Sequence, residues 1–352
     1  MCQINHISEK IIENQRIDGK EALDLYRNAD FLTLGSLANQ KRFLLHPKKI
    51  ISYVKDRNIN YTNICMSGCR FCAFYKTPHK GKGYIISKED LSNKIQETID
   101  LGGTQILLQG GMNPDLEIDF YVDMLSFIKE KFDIHIHGFS PPEIDFIAKK
   151  SNLSVAETIS VLEKAGLDSI PGGGAEILAD DIRQKVSPNK CTSEEWLEVM
   201  RQAHGLGMKS SATMMFGHIE EDIHIIEHLE KIRALQDEAH GFTAFIPWTF
   251  QPANTKIHVK KKTSVEYLKV LALSRIFLDN IDNVQASWVT QGDKIAQTAL
   301  FFGANDMGST MIEENVVAAA GVDFMLSETE LRRLISKAGF EPRQRDCYYT
   351  LL

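Results

Sequence analysis

The chain has 352 residues, 43% hydrophobic and 25% charged, with a net charge of −7. That length suits two average domains or one α/β barrel, which typically takes roughly 250 residues plus insertions. The acidic balance argues against a dedicated nucleic-acid binder, and no run approaches the ~18 uninterrupted apolar residues of a membrane-spanning helix.

Met1-Cys2-Gln3-Ile4-Asn5-His6 lacks the apolar core of a secretory signal. Residues 1–50 read as a helical extension, with Leu23, Leu25, Phe31, Leu32, Leu34 and Leu37 as apolar positions and Asp18-Gly19 as a helix start. From Ile51 the pattern turns extended, over Ile51–Val54 and Ile59–Ile64. A cysteine loop follows directly, at the C-terminal end of a strand, where parallel sheets and barrels place their chemistry.

Strands and helices then alternate. Ser87-x-x-Asp90 opens a helix carrying Leu91, Ile95 and Ile99. Gln105–Gln109 is a strand ending at Gly110-Gly111, and Phe120, Met124, Phe127 and Ile128 line the next helix. Ile134–Phe139 is extended and runs into Ser140-Pro141-Pro142-Glu143, read as a stiff loop. Ser154-x-x-Glu157 caps a helix, and Asp168–Ile170 is a short strand before Pro171-Gly172-Gly173-Gly174. Further pairs follow: a helix from Ser193, a strand at Lys209–Phe216, a helix through Ile223–Leu235 and a strand at Phe242–Phe250 broken at Pro247. A helix around Val265–Ala272, an extended Val284–Val289, a helical Gly292–Phe302 and a last strand at Gly303–Gly308 complete the alternation. About eight such units favour a closed (β/α)8 barrel over residues 51–326. Residues 327–352 supply a helix at Glu328–Lys337 and an extended Arg345–Leu352 tail. Lys260-Lys261-Lys262 reads as a solvated loop.

Chemistry concentrates in Asn60-Tyr61-Thr62-Asn63-Ile64-Cys65-Met66-Ser67-Gly68-Cys69-Arg70-Phe71-Cys72. Three thiolates on one short loop can hold three corners of a cubane iron–sulfur cluster. A cysteine trio that must stay reduced to hold a cluster fits the cytoplasm. Zinc normally wants four ligands, or three plus water, and no histidine is interleaved here. Cys2, Cys191 and Cys347 have no partner spacing and read as free thiols. A cluster with three protein ligands leaves one iron open, unlike an ordinary electron carrier.

Cys-x3-Cys-x2-Cys, with Phe71 before the last cysteine, resembles the signature of the radical S-adenosylmethionine (SAM) superfamily. The resemblance implies a TIM-type radical SAM barrel holding a 4Fe–4S cluster on Cys65, Cys69 and Cys72. SAM docks on the open iron and is split by one electron into methionine and a 5′-deoxyadenosyl radical. It also implies an electron donor such as flavodoxin or ferredoxin.

Phe71 is then expected at the SAM adenine, or as a shield for the cluster. Gln109, Gly110 and Gly111 occupy the place of the superfamily's Gly-Gly-Glu, with Met112 standing where the glutamate would be. The SAM amine contact is therefore expected from backbone carbonyls or Gln109. Glu176 suits the SAM ribose and Arg183 its carboxylate; a surface pair on a helix face is the plainer reading. His137 and Glu143 are candidates for proton transfer, with a packed histidine as the rival. Trp248 serves a flat substrate or core packing equally well, and Thr213 and Trp288 are further pocket candidates.

Asn58-Ile59-Asn60-Tyr61-Thr62-Asn63, Leu-Leu-Gln109-Gly-Gly, His135-x-His137-x-Phe-Ser-Pro-Pro-Glu143, Ile170-Pro-Gly-Gly-Gly-Ala-Glu176 and Phe245-Ile-Pro-Trp-Thr-Phe-Gln251-Pro together resemble the cyclic dehypoxanthinyl futalosine synthase family of menaquinone biosynthesis. That resemblance implies dehypoxanthine futalosine as substrate, abstraction of its ribose C4′ hydrogen and radical addition to the benzoate ring. Aminofutalosine synthase and deazaflavin (FO) synthase share the barrel and loop and stay open as alternatives. An iron–sulfur electron carrier would share the cysteines alone.

Overall fold

In the computed structural model, which describes residues 2–352 with side chains from Ile4 onward, the strands polarise into two unlike faces. They are β1 (Ile50–Val54), β2 (Asp56–Asn60), β3 (Gln105–Gln109), β4 (His135–Gly138), β5 (Ser169–Ile170), β6 (Lys209–Phe216), β7 (Phe242–Thr249), β8 (Asn283–Val284), β9 (Asp306–Ser309) and β10 (Glu341–Gln344). β2 to β8 hydrogen-bond in chain order as one parallel sheet.

Gln285, just past β8, bridges Asp306 of β9 in parallel. The chain after β9 then returns to the first strands: Thr310 N–H donates to Val54 O (2.9 Å), Ile312 N–H to Asp56 O (3.2 Å), and Asn58 N–H to Glu313 O (3.3 Å). β1 and β2 thus share one neighbour across the break at Lys55, and the ring closes on eight strand positions. β10 adds to β1 in parallel, Ile50 opposite Glu341, at the N-terminal end of the ring.

Outward strand residues such as Ile59, Ile106, Leu108, Ile136, Ile170, Ala212 and Met214 are fully buried. They pack under helices whose own apolar stripes are buried, among them Leu91 and Ile95, Leu125 and Ile128, Ile159 and Leu162, Trp196 and Met200, and Leu229 and Ile232. A parallel strand covered on both faces ordinarily reads as a continuous apolar run. Here the inward positions are Asp56, Asn58, Gln105, Gln109, His137, Ser211 and Thr213, and they line a cavity of about 300 Å³. The polar alternation therefore encodes a hollow barrel instead of the packed core of a filled one.

Helices Cys2–Ile12, Gly19–Asn28 and Phe31–Leu45 precede the barrel. Asp18 and Glu21 form a capping box, and Phe31 stacks on Phe302 at 4.6 Å. A Cβ at Gly35 would lie 2.5 Å from the Phe302 ring, so this approach requires glycine.

Several expectations need correction. Pro247 does not break its strand: β7 is continuous, with Pro247 opposite Met214 of β6. β8 reaches only Ala244 and Phe245, so on that side no ladder bond is asked of the N–H that Pro247 lacks. The Ser-Pro-Pro-Glu stretch is not a loop but the start of helix Pro141–Ser151, with both prolines in the first turn where free N–H groups are superfluous. Trp288 starts the helical turn Trp288–Gln291 instead of extending a strand. Strand β10 lies before Arg345, and the tail folds back through an antiparallel Arg345–Leu351 bridge. Cys191 and Cys347 are free thiols, whereas the Cys2 side chain lies outside the described residues.

Candidate active site

The cysteine loop is fixed at the C-terminal mouth of the barrel by backbone bonds from four directions. Cys65 N–H donates to Lys76 O (2.9 Å), Met66 N–H to Met112 O (3.0 Å), Arg70 N–H to Val186 O (2.8 Å) and Lys256 N–H to Arg70 O (2.8 Å). Ser67 Oγ sits 3.0 Å from Cys65 Sγ and 3.3 Å from Cys69 Sγ, so two thiols turn toward one point. Met112 N–H donates to Cys65 Sγ at 3.3 Å, which ties the end of β3 to the loop. A Cβ on Gly111 would stand 2.3 Å from Ile64 O and 2.7 Å from Cys65 Cβ. Gly110 lies equally close to the Tyr61 ring, 2.4 Å from a notional Cβ. The two glycines therefore let β3 end flush against the loop.

The donor set suits a cluster better than a single ion. The loop offers three thiols with no imidazole or carboxylate among them, which is the donor set of an iron–sulfur cluster. Burial pushes the Cys69 thiol up to about 11, against the pull of Lys190, and burial raises Cys72 as well. Thiols this reluctant to ionise alone are ones that a bound metal deprotonates.

Lys190 is the residue that sequence reasoning missed. Its ammonium lies 5.2 Å from the Phe71 ring centroid and 2.9 Å from Glu176 Oε1. Burial pulls it down, but Cys69 and Glu176 outweigh burial and hold it above the ordinary lysine range. It places one fixed positive charge near the Cys69 and Cys72 thiols. Nothing in the local pattern around Lys190 announces this; only the fold brings it to the loop.

Glu176 is buried at a φ of 42°, held by Met215 N–H on its carbonyl (3.0 Å). Its Oε2 has no hydrogen-bond partner and the residue lines the cavity. A buried carboxylate oxygen that accepts no hydrogen bond has room for one more donor, of the kind a ribose hydroxyl supplies. Gln109 also lines the cavity, and a Cβ on Gly173 would meet its amide at 2.6 Å.

Arg183 does not face the cavity. It donates to Cys191 O (2.7 Å), Ala175 O (2.6 Å) and Gly174 O (3.2 Å), with Glu176 Oε2 at 3.6 Å. Those bonds pin the Gly174–Glu176 turn and leave no fork for a ligand carboxylate. Glu143 is likewise withdrawn. Its oxygens accept from Tyr61 Oη (2.6 Å), Gly110 N–H (2.9 Å), Ser140 N–H (2.9 Å) and Ser140 Oγ (2.6 Å). It is a buried brace under the Gly110 turn, not a group with a free oxygen for proton transfer. His137, Trp248, Thr213 and Trp288 do line the cavity, with Arg345, Cys347 and Tyr349 of the C-terminal tail at its floor.

A hollow barrel with three thiols on one loop at its mouth is the arrangement of a radical SAM enzyme. The Radical SAM superfamily profile matches residues 59–232, and the CofH/MqnC C-terminal region matches residues 239–352. The chain belongs to the radical SAM superfamily and, within it, to the family that carries the CofH/MqnC C-terminal region. It is 47% identical over 351 residues to the cyclic dehypoxanthine futalosine synthase of Halalkalibacterium halodurans, covering 99% of this chain and 95% of the relative. The Streptomyces coelicolor protein of the same name is 43% identical, over 99% of this chain and 88% of its own. The 5-amino-6-(D-ribitylamino)uracil–L-tyrosine 4-hydroxyphenyl transferase of Methanocaldococcus jannaschii is 39% identical, over 96% and 98%. In fold, the chain resembles HydG, a maturase of FeFe-hydrogenase, with a TM-score of 0.78 and 15% identity over 99% of this chain and 77% of that one.

Proposed function

We propose that the chain is a radical SAM cyclase that converts dehypoxanthine futalosine to its cyclic product on the route to menaquinone. The observation that carries this reading is the cavity of about 300 Å³ inside the barrel, whose largely apolar lining is set with a few polar groups. Its walls join an open acceptor, Glu176, to flat apolar surfaces at Ile246, Trp248 and Trp288. A nucleoside-like sugar and an aromatic acid call for such a pairing of wall chemistries.

In this reading Cys65, Cys69 and Cys72 hold the 4Fe–4S cluster, and Phe71, Gln109, Gly110, Gly111 and Glu176 form the SAM site. When bound, the cluster and SAM supply a 5′-deoxyadenosyl radical. The protein's own part is positioning. Glu176 Oε2 takes a ribose hydroxyl, Lys190 offsets the charge of the thiolates, and the barrel wall keeps water from a carbon radical. Glu143 and Arg183 act one step back, holding the glycine turns that SAM approaches. Abstraction at the ribose C4′ and attack on the benzoate ring need the two carbons close together, which a narrow chamber enforces. The electron comes from a donor such as flavodoxin or ferredoxin, and unpaired thiols suit a reducing cytoplasm.

The test is anaerobic reconstitution with SAM, a reductant and dehypoxanthine futalosine. A product two hydrogens lighter than the substrate supports the cyclase; 5′-deoxyadenosine without it rejects that substrate. The 39% identity to the hydroxyphenyl transferase favours one second reading. Incubation with tyrosine and 5-amino-6-(D-ribitylamino)uracil decides between them, since only one pair of reactants will turn over.

A further inference from the structure

β4 sets His135 and His137 on one face of a strand, two residues apart, and Ser169 of β5 is the direct register partner of His137. Ser169 Oγ lies 2.7 Å from His137 Nδ1 and 2.7 Å from His135 Nε2, so a single hydroxyl joins the two rings. Cys347 Sγ approaches the same oxygen at 3.4 Å. The far nitrogen of His137 faces the cavity, where its nearest partner is Ser211 Oγ at a long 3.4 Å. His135 does not line the cavity. It is partly accessible from outside, edge-on to the exposed Tyr348 at 5.0 Å. One continuous hydrogen-bonded path thus crosses the barrel floor from chamber to surface.

We propose that His137, Ser169 and His135 form a proton exit, which carries the proton released on rearomatisation out of the chamber to bulk water. The proposal rests on the cyclase reading. Once the C4′ radical has bonded to a ring carbon, that carbon still bears its hydrogen. Restoring aromaticity breaks this C–H bond, and the proton goes to His137 Nε2. The electron passes to a one-electron acceptor of the iron–sulfur class, replacing the one spent on SAM cleavage, so no further oxidant is consumed. The Nδ1 proton of His137 moves to Ser169 Oγ, the Ser169 proton to His135 Nε2, and the Nδ1 proton of His135 to water. Each group ends with as many protons as it began, and the net result is one proton delivered to bulk water.

The electrostatics suit a conduit better than a store. Burial, then the neighbouring His135 and Arg345, hold His137 down at about 3. His135 is also lowered, by burial first, with Asp168 and Asp346 opposing and Lys129 adding to the effect. Cys347 on the tail is pushed up to about 11 by burial and stays a neutral thiol. A proton arriving at His137 therefore does not rest there. A bound ion among His135, His137 and Cys347 is the competing use of these atoms, but the Ser169 hydroxyl already stands between them.

The experiment uses the reconstituted full chain and counts 5′-deoxyadenosine against cyclised product, with freeze-quench electron paramagnetic resonance. In Ser169→Ala, deoxyadenosine release stays within about two-fold while cyclised product drops at least ~10-fold and an organic radical accumulates. Ser169→Thr, which keeps the hydroxyl, restores the coupling. His135→Ala shows the same uncoupling and is rescued by imidazole from bulk, a readout that also stands if Ser169→Ala fails to fold. Wild-type coupling in folded Ser169→Ala, or the absence of both uncoupling and imidazole rescue in His135→Ala, overturns the proposal. So do equal losses of deoxyadenosine and product, or a required metal beyond the cluster iron. Wild-type protein that forms no cyclic product rejects the cyclase reading itself, which is a separate result.

Discussion

Gly111→Ala tests how tightly the β3 end is fitted to the cysteine loop. The added methyl would stand 2.3 Å from Ile64 O and 2.7 Å from Cys65 Cβ, with Ile64 C at 3.0 Å. Ordinary carbon–oxygen contacts lie near ~3.3 Å, so roughly 1 Å of movement is needed, and the obstacle is backbone that cannot swing aside. Overpacking of this kind costs about 1–3 kcal/mol. A shift of ~1 Å also exceeds the ~0.5 Å tolerance of a preorganised site, so Cys65 is carried off register. The variant is expected to unfold at lower temperature and to take up well under its full complement of iron and acid-labile sulfide. Gly205→Ala is the control: nothing lies within 4 Å of its Cβ, and a gain of about 0.4–1 kcal/mol is expected. Gly111→Ala with full iron loading and an unchanged midpoint would refute the close-fit argument.

Other substitutions probe separate links. Glu176→Gln weakens SAM binding to the cluster-loaded protein about ten-fold, the loss of one charge-assisted hydrogen bond, measured by equilibrium dialysis. Arg345→Met leaves Asp306 buried without the two bonds at 2.6 and 3.1 Å, and costs about 3–5 kcal/mol in denaturant unfolding. Burial holds His204 down at about 4 and His228 at about 3, against an ordinary 6.5. The unfolded chain therefore binds more protons in between, so stability is lost as pH falls from 6.5 toward those values. Each histidine contributes a slope of about 1.4 kcal/mol per pH unit, and His204→Gln should flatten the acid limb by about one proton.

The barrel was legible because its strands repeat one alternation, as in Gln105-Ile-Leu-Leu-Gln109 and His135-Ile-His137, with helices capped in between. The cysteine loop was legible because its ligands are local in sequence. What escaped was whatever depends on distant chain segments meeting. Lys190 reaches Phe71 across more than a hundred residues, and Arg345 and Cys347 reach the floor from the far end of the chain. Glu143 and Arg183 looked like free functional groups because a sequence cannot show that their valences are already filled by main-chain partners. Pro247 misled because its effect depends on how short the neighbouring strand β8 is.

The tail that is anchored by the Arg345–Asp306 pair has a temporal meaning as well as a spatial one. Synthesis runs from the N-terminus, so the thiols at 65, 69 and 72 emerge long before their last backbone clasp, at Lys256. Strand β10 and the floor follow later still. A nascent chain would thus present its three sulfurs to the cell while the vessel beneath them has no bottom, and metal delivery can precede the moment when the chamber floor is laid.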